Sequence, residues 1–285
     1  MVKIENFNTG PKANPDVTNI NLDPSENIKN KKKIKKLLKN IVESDSKDLE
    51  KNINNAYHQN AELKCFHPIN NISGIDEIYH KLWLPIKNSF TDLERRDCLV
   101  LGGSFQDKVF VSTISLLTGT YTNPWLGIPT NNKTIHLRMC EAHEIKDGKI
   151  IHSHILLDVI DFIRQAGFWP INKSNGAEGL WTNSIAGDGA IFENVDKQLS
   201  LSSLEQALTM QRSLNIKPES DPNADHTYVK EKLLNHPQKE FWHEKMMWYG
   251  PSGIGTARGL EGFVDHHQLP FRMTFRERDY WKIGH

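Results

Sequence analysis

Cysteine is scarce in this sequence, and the charges of its side chains cancel. Only three cysteines occur among 285 residues, Cys65, Cys98 and Cys140. An odd and sparse set argues against a disulfide framework and suits a reducing compartment. Lys and Arg together number 35, as do Asp and Glu. Without net charge the chain has no overall field to attract nucleic acid or an anionic membrane, so we expect neither partner.

Membrane-spanning and targeting patterns are also missing. No apolar run approaches the length that crosses a bilayer. The N-terminal stretch MVKIENFNTG has no apolar core of the kind that a signal peptide requires. We therefore expect a cytoplasmic protein. The sequence also shows no phosphate-binding loop, nucleophile elbow or dinucleotide fingerprint.

The stretch from Ile135 to Asp158 predicts a β-hairpin around which the chain is organised. Asp147-Gly148 stands between two alternating runs, and this dipeptide is the strongest short-range signal for a tight hairpin turn. If the strands pair without interruption, cross-strand partners share a face, with His143 opposite His152, Glu141 opposite His154 and Leu137 opposite Asp158. One face then carries many titratable side chains among apolar ones: Leu137, Met139, Glu141, His143, His152, His154, Leu156 and Asp158. We interpret this face as the wall of a pocket.

The order of elements predicts an α+β fold. Helical spacing occurs after residue 31 and again after Gly74, with Pro85 interrupting or ending the second pattern. Strand-like segments follow at 93–105 and 108–121, ahead of the hairpin. Helices that precede a long antiparallel meander pack on one face of a curved sheet and form a cone with a mouth. The boundaries we expect are a poorly ordered tail over 1–30, a domain over 31–170 and a linker with one helix over 171–225.

The last part of the chain, 226–285, repeats part of that domain at one constant offset in residue number. The matching pairs are Tyr57-His58 with Trp242-His243, Gly74-Ile75-Asp76 with Gly259-Leu260-Glu261, and Leu84-Pro85-Ile86-Lys87 with Leu269-Pro270-Phe271-Arg272. A constant offset without a gap predicts an internal duplication. The long strands have no counterpart in this second copy, so we expect it to be incomplete.

Several short motifs, taken together, resemble the SnoaL-like polyketide cyclase family, which has the nuclear transport factor 2-like fold. They are Gly74-Ile75-Asp76-Glu77, Ser89-Phe90-Thr91-Asp92-Leu93, Thr118-Gly119-Thr120, Trp125-Leu126-Gly127-Ile128-Pro129-Thr130, Asp147-Gly148-Lys149-Ile150, and Asp158 with Phe162 and Gln165-Ala166-Gly167. The resemblance covers residues 34–168. It implies a conical α+β barrel with a deep pocket, and the second copy resembles the tandem members of the family, here with a truncated second domain.

The resemblance also implies a role for Asp158. In characterised cyclases an aspartate at this position is the general acid/base of an aldol-type ring closure. The residues themselves leave an alternative open, because Asp158 immediately precedes a predicted helix and could instead cap its free N–H groups, with Asp161 as partner. A catalytic carboxylate in an apolar mouth would need a raised pKa.

Glu141 and His154 are the other candidate catalytic residues. Facing each other, they could polarise a substrate carbonyl or relay a proton to Asp158, or they could be a satisfied buried pair. His154 stands where the family usually has Trp. His143 and His152 could add to a metal site with them, but the cupin-type spacing is missing, so we expect no metal. The apolar lining we expect is Leu137, Met139, Leu156, Trp125 and Trp83; the two tryptophans could equally be packing residues.

Two functions stay open from the sequence. The first is a cyclase, of the polyketide or ester type, or an isomerase; it needs no cofactor, because an aspartate alone can remove an acidified α-proton. The second is a non-catalytic module of the same fold that binds a small molecule or mediates dimerisation. The ligand would be a small apolar carbonyl compound. We expect pairing through the outer sheet face, as a homodimer or as an intramolecular pseudo-dimer with the second copy. That face would carry Arg138, Cys140, Ala142, Ile151, Ser153 and Ile155.

Overall fold

The computed structural model of the chain describes residues 23–105, 107–181, 189–193, 196–214 and 223–276. The chain divides into two compact units. The N-terminal unit includes the described residues of 23–170 and 189–193, and the C-terminal unit includes those of 171–181, 196–214 and 223–276. Within the described ranges, no helix is both long and apolar enough to cross a membrane.

Helices open the N-terminal unit, and the first begins earlier than the sequence pattern indicated. The bounds are α1 Pro24–Glu43, α2 Leu49–Ala56, α3 Gly74–Glu77, α4 Leu84–Ser89 and, after the sheet, α5 Val159–Gln165. The Asp23 carboxylate caps α1 by accepting from the N–H groups of Ser25 and Glu26, and Pro24 occupies the first turn. Because Pro suits that position, the helix includes residues that we had predicted as tail. The rest of the predicted tail, 1–22, lies outside the described ranges.

A sheet of six strands follows, as the predicted α+β class requires. The strands are β1 Tyr57–Lys64, β2 Asn71–Ser73, β3 Phe90–Phe105, β4 Lys108–Tyr121, β5 Thr134–Lys146 and β6 Lys149–Leu157. Their order in the sheet is β2-β1-β6-β5-β4-β3. All neighbours are antiparallel except β1 and β6, which run parallel. The predicted fold class is therefore confirmed, and the sheet is mixed at one pair.

The core of this unit lies between the helices and the inner face of the sheet. Burial alternates along β5 and along β4 from Val111 onward, so every second side chain there points into the core. Helix α1 contributes Ile34, Leu38 and Ile41, each fully buried. The apolar side chains of the helices and the inward-facing side chains of the strands thus pack together in one core.

A π-helical turn precedes Pro85, the residue at which the sequence predicts that the helix is interrupted or ends. Helix α3 passes into the π turn Ile78–Trp83, and α4 begins at Leu84. Pro85 sits in the first turn of α4, where the missing N–H of proline costs little. The wider turn therefore lets a proline-containing segment continue, and it ends on Trp83, which is fully buried.

Part of the predicted linker packs on the N-terminal unit. The Val100 N–H of β3 donates to the Gly189 carbonyl at 2.9 Å. A Cβ at Gly189 would lie 2.2 Å from the Cys98 carbonyl oxygen, so only glycine permits this approach. The ring of Phe192 lies 5.6 Å from Lys31 Nζ and 5.1 Å from Lys35 Nζ. Residues 189–193 thus line the outer edge of the sheet and belong to the domain rather than to a free linker.

The C-terminal unit consists of helices and one short strand pair over its described residues. Its elements are α6 Lys197–Ser213, α7 His226–Leu234, β7 Met247–Trp248, β8 Ala257–Arg258, α8 Gly259–Phe263, a π turn Val264–Gln268 and α9 Leu269–Thr274. A small core of Ala224, Val229, Leu233 and Val264 lies beneath them. The helix that we predicted within the linker is therefore present as α6.

The C-terminal unit reproduces local structure of the N-terminal unit at the offset that relates Gly259 to Gly74. In β1 and β2 Glu62 pairs with Ser73, and in β7 and β8 the residues at the same offset, Met247 and Arg258, pair in the same way. Gly74 and Gly259 both begin a short α-helix with positive φ, 76° and 65°. In both units that helix leads into a π turn and then a proline-containing helix. Pairing register and backbone conformation therefore agree with the offset read from the sequence.

Candidate functional site

Polar side chains gather on the inner face of the sheet, where a core would ordinarily be apolar. Four strands contribute them: Arg95 and Asp97 from β3, Thr113 and Ser115 from β4, Glu141 and His143 from β5, and Ser153 from β6. We call these seven residues the interior cluster. The side chains of Arg95, Glu141 and His143 are 0% exposed and that of Asp97 is 1% exposed. Burying so many polar groups is costly unless they pair or bind something.

A β-bulge decides which residues of the hairpin reach the interior. The turn has the predicted geometry, with φ of 51° at Asp147 and 74° at Gly148. The pairing then slips by one residue between Ile145 and Glu144, because Ile151 is inserted on β6. Beyond the bulge, His143 pairs with Ser153 and Glu141 pairs with Ile155.

The slip reverses the faces that we predicted for β6. His154 pairs with Ala142 and is exposed, and Leu156 pairs with Cys140 and is 67% exposed. His152 pairs with Glu144, to whose carboxylate its ring is bound at 2.9 Å. The prediction that His154 faces Glu141 was therefore wrong, as was the apolar lining role of Leu156. A one-residue slip moves every side chain beyond it to the other face.

The β5 half of the predicted face is confirmed. Leu137, Met139, Glu141 and His143 are all buried on the inner side of the sheet. Trp83 is also buried, at 0% exposure. Trp125 is 5% exposed, and its ring lies 5.5 Å from the ring of Phe162 and 6.2 Å from that of Phe66. Trp125 is thus part of an aromatic packing group.

Arg95 holds the interior cluster together. Its Nε donates to Asp97 Oδ1 at 2.9 Å, and its Nη2 donates to Glu141 Oε2 at 2.5 Å and to Thr113 Oγ1 at 2.9 Å. Thr113 Oγ1 in turn donates to the same Glu141 oxygen at 2.9 Å. One guanidinium therefore lies between two carboxylates and fixes one oxygen of each, as its planar set of donors allows.

The two carboxyls respond to this environment in opposite directions. For Glu141, burial opposes ionisation, but the Arg95 charge and the hydrogen bonds from Arg95 and Thr113 outweigh it and hold the pKa below its ordinary value. For Asp97, burial is the largest effect and raises the pKa, with Arg95 opposing it only in part. Carboxyls whose environments separate their pKa values are suited to different roles in acid–base chemistry.

His143 is a neutral member of the cluster. Burial is the main cause that lowers its pKa to about 4, although the Glu141 charge acts in the other direction. Its Nδ1 is hydrogen-bonded to Ser153 Oγ at 2.8 Å, and its Nε2 lies 3.8 Å from Glu141 Oε1. At neutral pH the ring therefore contributes hydrogen-bonding groups and no charge.

Several polar atoms of the interior have no hydrogen-bond partner within the part of the chain that the structure describes. They are Arg95 Nη1, Asp97 Oδ2, Ser115 Oγ, Glu141 Oε1, His143 Nε2, Tyr57 OH and Trp83 Nε1. Native interiors leave few polar atoms in this condition. Their gathering in this interior marks it as the candidate functional site.

Asp158 lies away from this cluster and caps a helix. Its Oδ1 accepts from the Asp161 N–H at 3.1 Å at the start of α5, and its Oδ2 accepts from the Arg138 guanidinium. Its own N–H donates to the Arg138 carbonyl at 3.1 Å, so the predicted pairing of Asp158 with Leu137 was wrong. The capping alternative accounts for the position of this residue.

Sequence reasoning missed Arg95, Asp97 and the interior placement of Ser153. For the first two the sequence gives no alternating signal, because Glu94 to Asp97 are four consecutive charged residues between Leu93 and Val100. Such a stretch is typical of an exposed edge strand, and β3 is indeed the edge of the sheet. A strand long enough to reach under α1 can nevertheless carry charges inward.

Comparison with known proteins gives likenesses of fold. No protein-family model and no curated protein matches the chain. A solved structure from Jannaschia sp. CCS1, named a "putative SnoaL-like polyketide cyclase", is 15% identical, with 53% of this chain and 99% of that chain covered and a TM-score of 0.44. The "putative hydroxylase" AclR from Streptomyces galilaeus is 14% identical, with coverages of 64% and 94% and a TM-score of 0.41. The "putative polyketide cyclase" IdmH from Streptomyces antibioticus is 15% identical, with coverages of 47% and 98% and a TM-score of 0.39.

Proposed function

We propose that the interior cluster is an acid–base site that moves a proton on a small carbonyl compound, by isomerisation or aldol-type cyclisation. One observation carries the proposal: Arg95 bridges Asp97 and Glu141, whose pKa values shift in opposite directions, and each carboxyl keeps an oxygen without a protein partner among the described residues. In this proposal, these are the two oxygens that a bound molecule contacts.

Asp97 is the proton-transferring group in this proposal. Its raised pKa makes its carboxylate a stronger base than an ordinary aspartate. Asp97 Oδ2 takes a proton from the carbon beside the substrate carbonyl, and the electrons of that C–H bond form an enolate. In an isomerisation the acid form of Asp97 returns the proton to another carbon. In a cyclisation the enolate carbon attacks a second carbonyl, and the new alkoxide takes the proton.

Arg95 stabilises the enolate oxygen. Its Nη1 is buried and donates to no described protein group, and a guanidinium is always charged. A fixed positive donor in a dry interior stabilises developing negative charge strongly. Glu141 is held ionised and has no proton to donate, so the polarising role that we predicted for it passes to Arg95. Glu141 instead keeps Arg95 in place.

Asp158 and His154 have structural roles in this proposal. The Asp158 carboxylate is engaged by Arg138 and by the first turn of α5, and His154 lies on the outer face of the sheet. Because the cluster is fully buried, a substrate reaches it only when the N-terminal unit opens. Substrate identity then depends on the shape of the interior around Leu137 and Met139.

Deuterium exchange tests the proposal without a known substrate. The full-length protein is incubated in deuterated buffer with acetophenone, cyclohexanone or acetoin, and incorporation beside the carbonyl is followed by NMR. We expect exchange above the buffer rate, and a loss of about a hundredfold or more in Asp97→Asn, because a positioned base contributes about 10²–10⁴-fold.

The matched control is Asp158→Asn, which retains a capping side chain. It should exchange at the rate of the unmodified protein. If Asp158→Asn abolishes exchange while Asp97→Asn does not, Asp158 is the base and our assignment fails. If none of the ketones exchanges although they bind, the non-catalytic alternative is correct.

We also propose that the C-terminal unit is an incomplete second copy of the cyclase-like domain. The equal strand registers of β1–β2 and β7–β8 support this, as do the two π turns. Homodimerisation or an intramolecular pseudo-dimer through the outer face stays a prediction, with one correction. Ser153 and Ile155 are buried in the interior, and the outer face of β6 carries His154 and Leu156 instead. Sedimentation at micromolar concentration would distinguish monomer from dimer.

A further inference from the structure

Two buried donors of the interior have no part in the proton transfer. Tyr57, at the start of β1, and Trp83, at the end of the π turn, are both 0% exposed. The indole N–H of Trp83 faces the Tyr57 hydroxyl, and as a weak donor to it opposes the rise that burial causes in the pKa of that hydroxyl. Their contact falls outside the distance and angle of a full hydrogen bond, and neither Tyr57 OH nor Trp83 Nε1 has such a bond to any other described group. They therefore form a second pair of polar atoms, which we call the donor pair.

A second buried tyrosine shows how this protein ordinarily treats a buried hydroxyl. Tyr121 is also 0% exposed, but its hydroxyl donates to the Ile128 carbonyl at 2.6 Å and accepts from the backbone N–H of Trp125 at 2.8 Å. The same side chain in the same unit is thus fully satisfied at one place and unpaired at the other. Leaving the donor pair unpaired lowers stability, so a role outside folding is the simplest account of it.

The donor pair lies in the same buried core as Leu137 and Met139, which precede Glu141 on the inner side of β5. The charges of Glu141 and Arg95 both influence Tyr57, and that of Glu141 also reaches the Cys65 thiol, whose pKa is raised to about 12 chiefly by burial. Burial likewise raises the pKa of Tyr57, so its hydroxyl keeps its proton and can donate it. A molecule bound at Arg95 and Asp97 therefore lies in the same interior as the donor pair.

The charges of the interior limit what can bind. Arg95 is positive, Glu141 is held negative, and His143 is neutral. Asp97 is negative when it acts as a base. The site thus carries one net negative charge before substrate binds, and proton transfer to Asp97 moves this charge to the substrate without changing it. An anionic substrate would bring a second negative charge into a dry interior, at high cost.

We infer that the substrate is an uncharged compound with two oxygen functions, the reacting carbonyl at Arg95 and a second oxygen that accepts from Tyr57 OH and Trp83 N–H. This inference rests on the proposed function for the first oxygen only. Tyr57 and Trp83 are then residues that determine specificity. A hydroxyketone or a diketone has the required chemistry, whereas a simple ketone leaves the donor pair unpaired.

The first test concerns the protein without ligand. Tyr57→Phe removes an unpaired hydroxyl, so we expect an unchanged or higher Tm. Tyr121→Phe is the matched control, and it should lower the Tm because it breaks two hydrogen bonds and leaves the Trp125 N–H buried without that acceptor. If both substitutions lower the Tm equally, the Tyr57 hydroxyl is already satisfied in the free protein and the inference fails.

The second test compares three four-carbon probes by ligand-observed NMR on the full-length protein. They are acetoin, which is neutral with two oxygens, butanone, which is neutral with one, and butyrate, which is anionic with two. We expect acetoin to bind most tightly and butyrate most weakly. Tyr57→Phe should weaken acetoin binding by about two- to tenfold, the worth of one hydrogen bond, and leave butanone unchanged.

Two results would overturn the inference: butyrate binding as tightly as acetoin, or a preference for acetoin over butanone that survives in Tyr57→Phe. Failure to detect binding of any probe would also count against it. Binding does not require turnover, so the outcome is separate from that of the exchange experiment. Exchange without this preference removes the donor pair as a subsite, and the preference without exchange removes the proposed function.

Discussion

The two units share a hairpin, a π turn and a proline-containing helix, but only one of them continues into long strands among the described residues. In the N-terminal unit β3 to β6 come after the shared elements and supply all seven residues of the interior cluster. In the described part of the C-terminal unit, the only strands are β7 and β8. Trp83 at the end of the first π turn has an N–H without a hydrogen bond to any described group. Gln268, at the matching position, exchanges two hydrogen bonds with Gln238 at 2.6 and 2.8 Å.

The contrast shows where a site comes from in such a fold. The helices and the short hairpin provide a buried apolar surface in either unit. A polar side chain on that surface can be satisfied by a neighbouring side chain, as Gln238 hydrogen-bonds to Gln268. The sheet adds the charged residues Arg95, Asp97 and Glu141. They pair with one another, and each keeps one polar atom without a hydrogen bond to any described group. Substitutions compared between matched positions can therefore show whether the interior cluster, rather than the elements that both units share, has the larger effect on the free energy of unfolding.

We expect the greatest loss of stability from removing the guanidinium that the sheet carries. Arg95→Met should destabilise the protein by about 3–5 kcal/mol, because Glu141 and Asp97 lose their buried counter-charge. Urea unfolding measures the change. The matched control is Arg96→Met at the adjacent residue, whose side chain is 68% exposed and pairs with Glu94 on the surface. Arg96→Met should change the free energy of unfolding by no more than about 0.5 kcal/mol. Equal effects of the two substitutions would show that burial does not strengthen the ion pairs of Arg95.

We expect a smaller effect on the pH dependence of stability, which can be compared for one histidine in each unit. His143 has a pKa of about 4 in the folded protein because it is buried. As the pH falls from about 6.5 towards 4, the unfolded chain gains a proton at this residue and the folded chain does not, so stability falls. His143→Gln should flatten the urea midpoint over this window.

His267 provides the comparison. Burial also lowers its pKa, but this ring is only partly buried and stacks on Trp248 at 4.2 Å. His267→Gln should therefore flatten the same profile less. A larger change for His267 than for His143 would contradict the view that the sheet creates the drier interior.

The least costly change concerns the part that both units share. Gly74→Ala and Gly259→Ala each place a Cβ in a left-handed conformation, and the Cβ would lie 3.5 Å from the Gln59 carbonyl oxygen and 3.3 Å from that of Glu244. Each should cost about 1 kcal/mol. Thermal unfolding that shows a cost for only one of them would argue against the structural equivalence of these segments in the two units.

Local patterns predicted the framework of the fold. The tight turn at Asp147-Gly148 has its predicted geometry, β4 has its predicted bounds, and the constant offset read from the sequence reappears as equal strand registers in the two units. These features depend on neighbouring residues or on exact repetition. The helix start at Asp23-Pro24 was also readable, because both residues are typical of a first turn.

The site depended on features that leave little trace in sequence. The bulge at Ile151 inserts one residue without a glycine or proline to mark it, and it moved His154 and Leu156 out of the interior. Arg95 and Asp97 look like edge-strand residues until the sheet is seen to pass under α1. Long-range packing decides both, so period-two patterns alone cannot place these side chains.

The ionisation of Asp97 is the sharpest test of the proposed site. Its carboxyl carbon can be titrated by NMR in the full-length protein and assigned by the signal lost in Asp97→Asn. We predict a pKa above the ordinary value for aspartate, because burial dominates over the Arg95 charge. A pKa at or below the ordinary value would mean that Arg95 holds Asp97 as a fixed counter-ion, and would contradict its role as the base.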